Sequence, residues 1–185
     1  IKKEVISSYV LELIKEESFN NYFFKIVKSD KWFNILKANG YFSPERAPRP
    51  KLTDDERYYI IPIWNVLPYL ELISKKVTEP GKEHYIEELL NIIKDVTQYH
   101  INNNKCLDNY KTWHYFVKIL CNIPNNKIPD EIIDLIPIWL DSKFSTSLQG
   151  SEIAENLLPK FLTDDSDDIR KAEKIITVSY THLRA

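Results

Sequence analysis

The side chains best suited to chemistry in this chain are His100, Cys106, His114 and Cys121, which fall in one stretch. Imidazole and thiolate are zinc ligands, and a tetrahedral site needs them to converge at about 2.0–2.3 Å from the metal. Here five, seven and six residues separate the neighbours, which matches no paired-ligand motif. His114 and Cys121 share a helix face but stand two turns apart, roughly 10 Å along the axis, so one ion cannot join them. The cysteines read as small buried hydrophobes. No metal and no other cofactor is expected.

Other catalytic arrangements fare no better. Serines, cysteines and histidines are present, but no nucleophile elbow occurs. The chain has 3 glycines, none at P-loop spacing, so a phosphate-cradling loop is excluded within it. Carboxylates cluster at Asp54-Asp55-Glu56 and from Asp164 to Asp168. The first group falls in a polar loop and the second heads a helix, so solvation and capping account for both. No catalysis by this stretch is expected.

Charge and composition narrow the partners. There are 25 Lys and Arg against 27 Asp and Glu, a net charge of −2, which is no nucleic-acid footprint. Arg46, Arg49 and Lys51 beside Tyr41 and Phe42 make one basic, aromatic patch, and the neighbouring Asp54, Asp55 and Glu56 should blunt it. A nucleic-acid partner is therefore not expected. No apolar run approaches the ~20 residues of a membrane span, and residues 1–16 are charged and amphipathic rather than leader-like. Two cysteines make no disulfide scaffold, so a reducing, cytoplasmic setting is expected.

Helical periodicity runs through most of the chain. Lys2 to Glu16 carries Val5, Ile6, Tyr9, Val10, Leu13 and Ile14 at spacings of three and four. Ser18 precedes a helix from Phe19 to Lys28, with Tyr22, Phe23, Ile26 and Val27 inward. Asp30 is placed to cap a helix through Trp32, Phe33, Ile35 and Leu36, which Gly40 should end. Pro62 should open a helix through Trp64, Leu67, Leu70, Leu72 and Ile73, with a late start or kink at Pro68. The longest helix runs from Lys82 to Ile101. Asp108 or Asn109 caps the next, through Trp113, Phe116, Val117, Leu120 and Cys121. Pro129-Asp130-Glu131 opens another, kinked or divided at Pro137. Ser151 to Phe161 and Ile169 to Ile176 complete about nine short helices. Tyr58 to Ile61 could be a strand, but no pairing run is visible.

The longest interruption lies between Tyr41 and Tyr59, which contains Pro44, Pro48 and Pro50. Neither a helix nor a central strand tolerates that density of proline, and loops this long in compact domains are often functional. Aromatics stand at both its mouths. Tyr41, Phe42, Arg46, Arg49, Tyr58 and Tyr59 are the candidate interaction surface; the competing reading is that the aromatics fill the core between helices.

Ile61-Pro62-Ile63-Trp64 recurs as Ile136-Pro137-Ile138-Trp139, as in a repeat of short helices joined by Pro and Asn turns. Trp32-Phe33, Gly40-Tyr41-Phe42, the proline loop, Ile61-Pro62-Ile63-Trp64 and Tyr69-Leu70-Glu71 together resemble a segment of large bacterial proteins with helical, HEAT-like repeats. The resemblance covers about a quarter of the chain. It implies a helical scaffold, sometimes beside an ATPase module, and it carries no catalytic residue.

The chain begins at Ile1 and contains no Met, so it is expected to be a piece of a longer chain, truncated at both ends. Residues 178–185, Val-Ser-Tyr-Thr-His-Leu-Arg-Ala, resemble translated sequencing-adapter read-through, and 177–185 are expected to be a non-native tail. The expectation is thus an all-α segment over 1–176, built from antiparallel helix pairs as an α-solenoid or an irregular helical array. Its expected role is a scaffold that binds a protein partner or the remainder of its own chain. The second expectation is an accessory helical domain of an NTPase whose active site lies elsewhere.

Overall fold

The computed structural model describes residues 3–145 and 147–182, with side chains over 5–145 and 147–177. It is 64% helix and 2% strand, an all-α fold. In chain order come α1 (Lys3–Leu13), α2 (Glu17–Ile26), a 3-10 turn (Asp30–Trp32) running into α3 (Phe33–Ala38), β1 (Lys51–Leu52) and β2 (Tyr59–Ile60). After them come α4 (Leu67–Ser74), α5 (His84–Asn102), α6 (Tyr110–Asn122), α7 (Asp130–Ile133), α8 (Ile136–Leu140), α9 (Ser147–Glu152) and α10 (Ser166–His182). Every expected helix has a counterpart, and the seventh is divided at Pro137.

Prolines set several of the boundaries. Pro68 lies in the first turn of α4 and Pro137 in the first turn of α8. There the missing N–H has no intrahelical acceptor to lose. Pro62 does not open a helix: residues 61–64 take no regular structure, 65–66 turn, and α4 begins at Leu67. The two Ile-Pro-Ile-Trp copies therefore differ in conformation, one irregular and one in α8, and the local match is not a structural repeat. Pro159 follows a π-helical stretch, Ile153–Leu157, and opens a 3-10 turn.

Capping accounts for the other ends. Gly40 (φ 69) closes α3: its N–H donates to Lys37 O at 2.9 Å, and Tyr41 N–H donates to Leu36 O at 3.0 Å. This is the Schellman pairing that glycine makes cheap. Asp165 Oδ1 accepts from the N–H groups of Asp167 and Asp168 at 2.9 and 3.2 Å, so the acidic run does cap α10. Asp30 does not act as a cap; Ser29 does, and Asp30 instead pairs with Lys82. Likewise α2 begins at Glu17, ahead of Ser18. The backbone of α10 passes Ile176 without a break. The packing of residues 178–182, and all of 183–185, lie outside the described residues.

Packing is ordered around α6. α2 lies on α4, α4 on α6, and α6 on α9, while α5 touches α4 and α7, and α10 covers α7 and α8. Trp113, Phe116, Val117 and Leu120 of α6 are fully buried. Phe116 stands between Trp113 and Trp139, with ring centroids 5.7 and 5.9 Å away. Some polar groups in this core find partners: Trp139 Nε1 donates to Thr97 Oγ1 at 3.1 Å, and that hydroxyl donates to Ile93 O at 2.8 Å, whereas Trp113 Nε1 and Thr112 Oγ1 are buried without a partner among the described residues. Lys160 Nζ reaches the carbonyls of Leu120, Cys121 and Ile123 at the end of α6, where the helix dipole favours a cation. Glu71 in α4 binds Lys118 in α6 at 3.1 Å.

The helices at the N-terminal end depart from expectation. Only Ile14 of the expected α1 stripe is buried; Val5, Ile6, Tyr9 and Leu13 are exposed, and so are Tyr22 and Ile26 of α2. Phe23 and Val27 do point inward as expected, and Phe24 joins them. Helical period locates an apolar stripe, but an opposing element is needed to cover it.

His100 of α5 is buried against Trp113, and its Nδ1 accepts the Leu107 N–H at 3.0 Å. An accepting Nδ1 must be unprotonated. Burial is the main reason the imidazole is held below its ordinary value near 6.5, with Lys105 adding to the fall and Asp108 and Asp141 opposing it. Below that value the unfolded chain takes up a proton that the folded chain resists. The His100 contribution is thus fully present above pH ~6.5 and is lost as pH falls toward the folded value. Chemical denaturation at roughly pH 7 and pH 5 should show unfolding free energy dropping in the parent and dropping less in His100→Gln.

Candidate interaction site

The proline loop is ordered, and its centre is a β-hairpin. β1 and β2 pair antiparallel, Lys51 opposite Ile60 and Leu52 opposite Tyr59. The partner for the Tyr58–Ile61 run thus lies inside the loop, in a two-residue strand too short to register as a pattern. Thr53 N–H donates to Tyr58 O at 2.8 Å and Glu56 N–H to Thr53 O at 2.9 Å. Glu56 takes a left-handed conformation, φ 56, which suits a hairpin loop built on a type I turn. Asp55 accepts from Thr53 Oγ1 and the Arg57 N–H. The hydrogen bond from Thr53 is the largest reason its carboxyl sits below the ordinary carboxylate range. The acidic run Asp54-Asp55-Glu56 is therefore the tip of the hairpin.

Its root is held by one side chain. Asn109 is fully buried and caps α6, its Oδ1 accepting the Lys111 N–H at 3.1 Å and the Thr112 N–H at 3.4 Å. Its Nδ2 donates to Pro48 O at 3.1 Å and to Pro62 O at 2.8 Å. Those two carbonyls belong to the strands entering and leaving the hairpin. Lys111 Nζ adds a bond to Ile61 O at 2.7 Å. A helix cap and a loop clamp thus share one amide, whose acceptor and donors all point at main chain.

The six candidate residues divide. Tyr41 and Phe42 are 6% and 5% exposed and belong to the core: Phe42 lies 5.1 Å from Phe33 and stacks on Tyr69, and Tyr41 meets Phe24. The packing reading holds for them, because α3 and the start of the loop close directly over α2, α4 and α5. Trp64 at the other mouth is buried too. Tyr58 and Tyr59 do face outward, 71% and 49% exposed, with Ile60 and Ile63 beside them. Tyr59 rests on Phe144 at 4.9 Å, under Lys143 Nζ. Arg46 stacks over Tyr41 at 4.5 Å, and Arg49 is exposed. Asn109, which unites the site, was readable from sequence as a helix cap but not as a clamp.

Arrangements for chemistry are otherwise accounted for. No group of three or more metal-binding side chains occurs among the described residues. Cys121 and Lys160 approach one another as a nucleophile and base could, but burial pushes the Cys121 thiol up to about 12. The Lys160 amine is spent on three carbonyls. No described helix is long and apolar enough to cross a membrane. Comparison with protein-family models, curated proteins and solved structures finds no match.

Asn109→Ala removes a cap and two buried amide bonds at once, and should cost about 2–4 kcal/mol in chemical denaturation. The hairpin should also loosen, so trypsin should cleave after Lys51 or Arg57 faster than in the parent under native conditions. Equal cleavage rates would show that the hairpin is held without the clamp.

Proposed function

We propose that this chain is a non-catalytic helical scaffold of a larger, cytoplasmic bacterial protein, and that it works by binding protein through the hairpin 51–60. One observation carries the reading. An apolar, aromatic edge formed by Tyr58, Ile60 and Ile63 is exposed on a short two-stranded arm rooted at Asn109. Exposed apolar surface on an ordered arm is costly in water and marks a contact site. A hairpin this short is not stable alone, so the clamp spends a buried residue to keep it presented.

The stacking supports a repeat-like scaffold. α2, α4, α6 and α9 follow one another in a row, with α5, α7 and α10 behind, as in stacked helix pairs. Unpaired Cys106 and Cys121 suit a reducing compartment. The occupant of the arm is a protein partner or another part of the parent chain.

The test places a photo-crosslinking amino acid at Tyr58 in the parent protein, expressed in its own host, with Glu155 as an exposed control site. One discrete adduct at Tyr58, competed away by purified chain and missing from the control, is the expected outcome. Identical adduct patterns at both positions, or none at Tyr58, would remove the arm from the account.

A further inference from the structure

A groove runs beside the root of the hairpin. One wall is α2, and the other is the segment 62–66 that leads into α4. Two adjoining cavities of about 260 Å³ and about 520 Å³ share Glu17, Pro62, Ile63 and Asn65 along it. Arg46 and Lys51 line one end; Phe24, Pro68 and Tyr115 line the other. Between them Asn65 Nδ2 donates to Asn20 Oδ1 at 2.8 Å, bridging the two walls.

Three features define what fits. The first is charge. About half of the cations of the described residues have a carboxylate partner, including Lys37, Lys82, Lys118 and Arg170; Arg46, Arg49 and Lys51 are among those that have none, and two of them, Arg46 and Lys51, line this groove. The acids expected to blunt this patch are at the hairpin tip. Asp54 is three residues from Lys51, roughly 10 Å along a strand, about one Debye length at physiological salt. Glu17, midway along the groove, is the one carboxylate lining it, and it leaves the Arg46 end cationic. The second is main chain. Asn109 and Lys111 occupy the Pro62 and Ile61 carbonyls, while the N–H and C=O of Ile63 bond no described residue. Unpaired main-chain groups a few residues past a strand and beside a groove are what a second, extended chain can pair with. The third is the far end, where aromatic and proline side chains offer apolar surface.

We propose that this groove binds an extended acidic peptide segment of a protein partner, its carboxylate received by Arg46 and Lys51 and its main chain lying along Ile63. The proposal rests on the protein-binding reading above and names the partner's chemistry. The carboxylate is either a side chain or a C-terminus; guanidinium and ammonium groups accept both.

The test selects peptides from a displayed library of random short sequences on the whole chain. Enriched peptides are then remade with a fluorescent label, each as free acid and as C-terminal amide, for anisotropy titration. Acidic sequences should be enriched, and Arg46→Glu with Lys51→Glu should weaken them by roughly tenfold or more. Lys51→Glu alone, at an exposed position remote from the core, should weaken them by a smaller factor without altering the unfolding midpoint. Loss of binding in the amide form alone assigns the anion to a C-terminus; retention assigns it to Asp or Glu. Neutral or basic sequences, or acidic ones indifferent to both substitutions, would overturn the proposal. A labelled single-stranded oligonucleotide that binds more tightly than any peptide and is lost in the same variants would overturn it too. A Tyr58 adduct that persists in the doubly reversed variant would sink the groove and leave the arm standing.

Discussion

One carboxamide ties the hairpin to the helix beneath it. Asn109 must cap α6, because the first N–H groups of a helix have no acceptor of their own. In the same position it bonds the carbonyls of Pro48 and Pro62. Those carbonyls lie at the base of a loop that prolines keep out of any larger ladder, so they have no other regular acceptor geometry to enter. A buried polar group left unpaired costs more than a formed bond gains. The cap, the two strand roots and the helix therefore form or fail as a unit. α6 is itself fixed by Trp113, Phe116 and Leu120 in the core, which gives a two-residue sheet the rigidity it lacks alone.

This arrangement separates two roles within one aromatic-rich loop. Its first aromatics, Tyr41 and Phe42, close the core over Phe24, Phe33 and Tyr69. Its later ones, Tyr58 and Tyr59, stay outside. The prolines lie between the two sets and prevent the chain from folding back as helix. Partly buried polar contacts elsewhere, such as Glu71 with Lys118 and Lys160 on the end of α6, hold α4, α6 and the 158–161 turn in the order that places the root.

The all-α class and the sequence of helices were legible because apolar spacing at three and four is local information. So were Gly40 as a terminator, the divided helix at Pro137 and the acidic cap of α10. The errors have one physical source: they needed to know what lies opposite. The α1 stripe reads as core, yet Val5, Ile6 and Tyr9 face outward since no described element covers them. Pro62 looks like a helix start, but its carbonyl is committed to Asn109 and the chain takes no regular structure to Trp64. The hairpin was hidden because each strand has two residues, far short of a period-two pattern.

The central claim is that the hairpin is an ordered arm fixed at its root. Backbone ¹⁵N relaxation across residues 49–61 of the parent chain tests it most directly. The account predicts order parameters near the helical value of about 0.85 at Leu52 and Tyr59, with a fall confined to the tip at 54–57. Values below about 0.6 throughout 49–61 would mean that the loop is a free tether, and that Asn109 caps a helix and does nothing more.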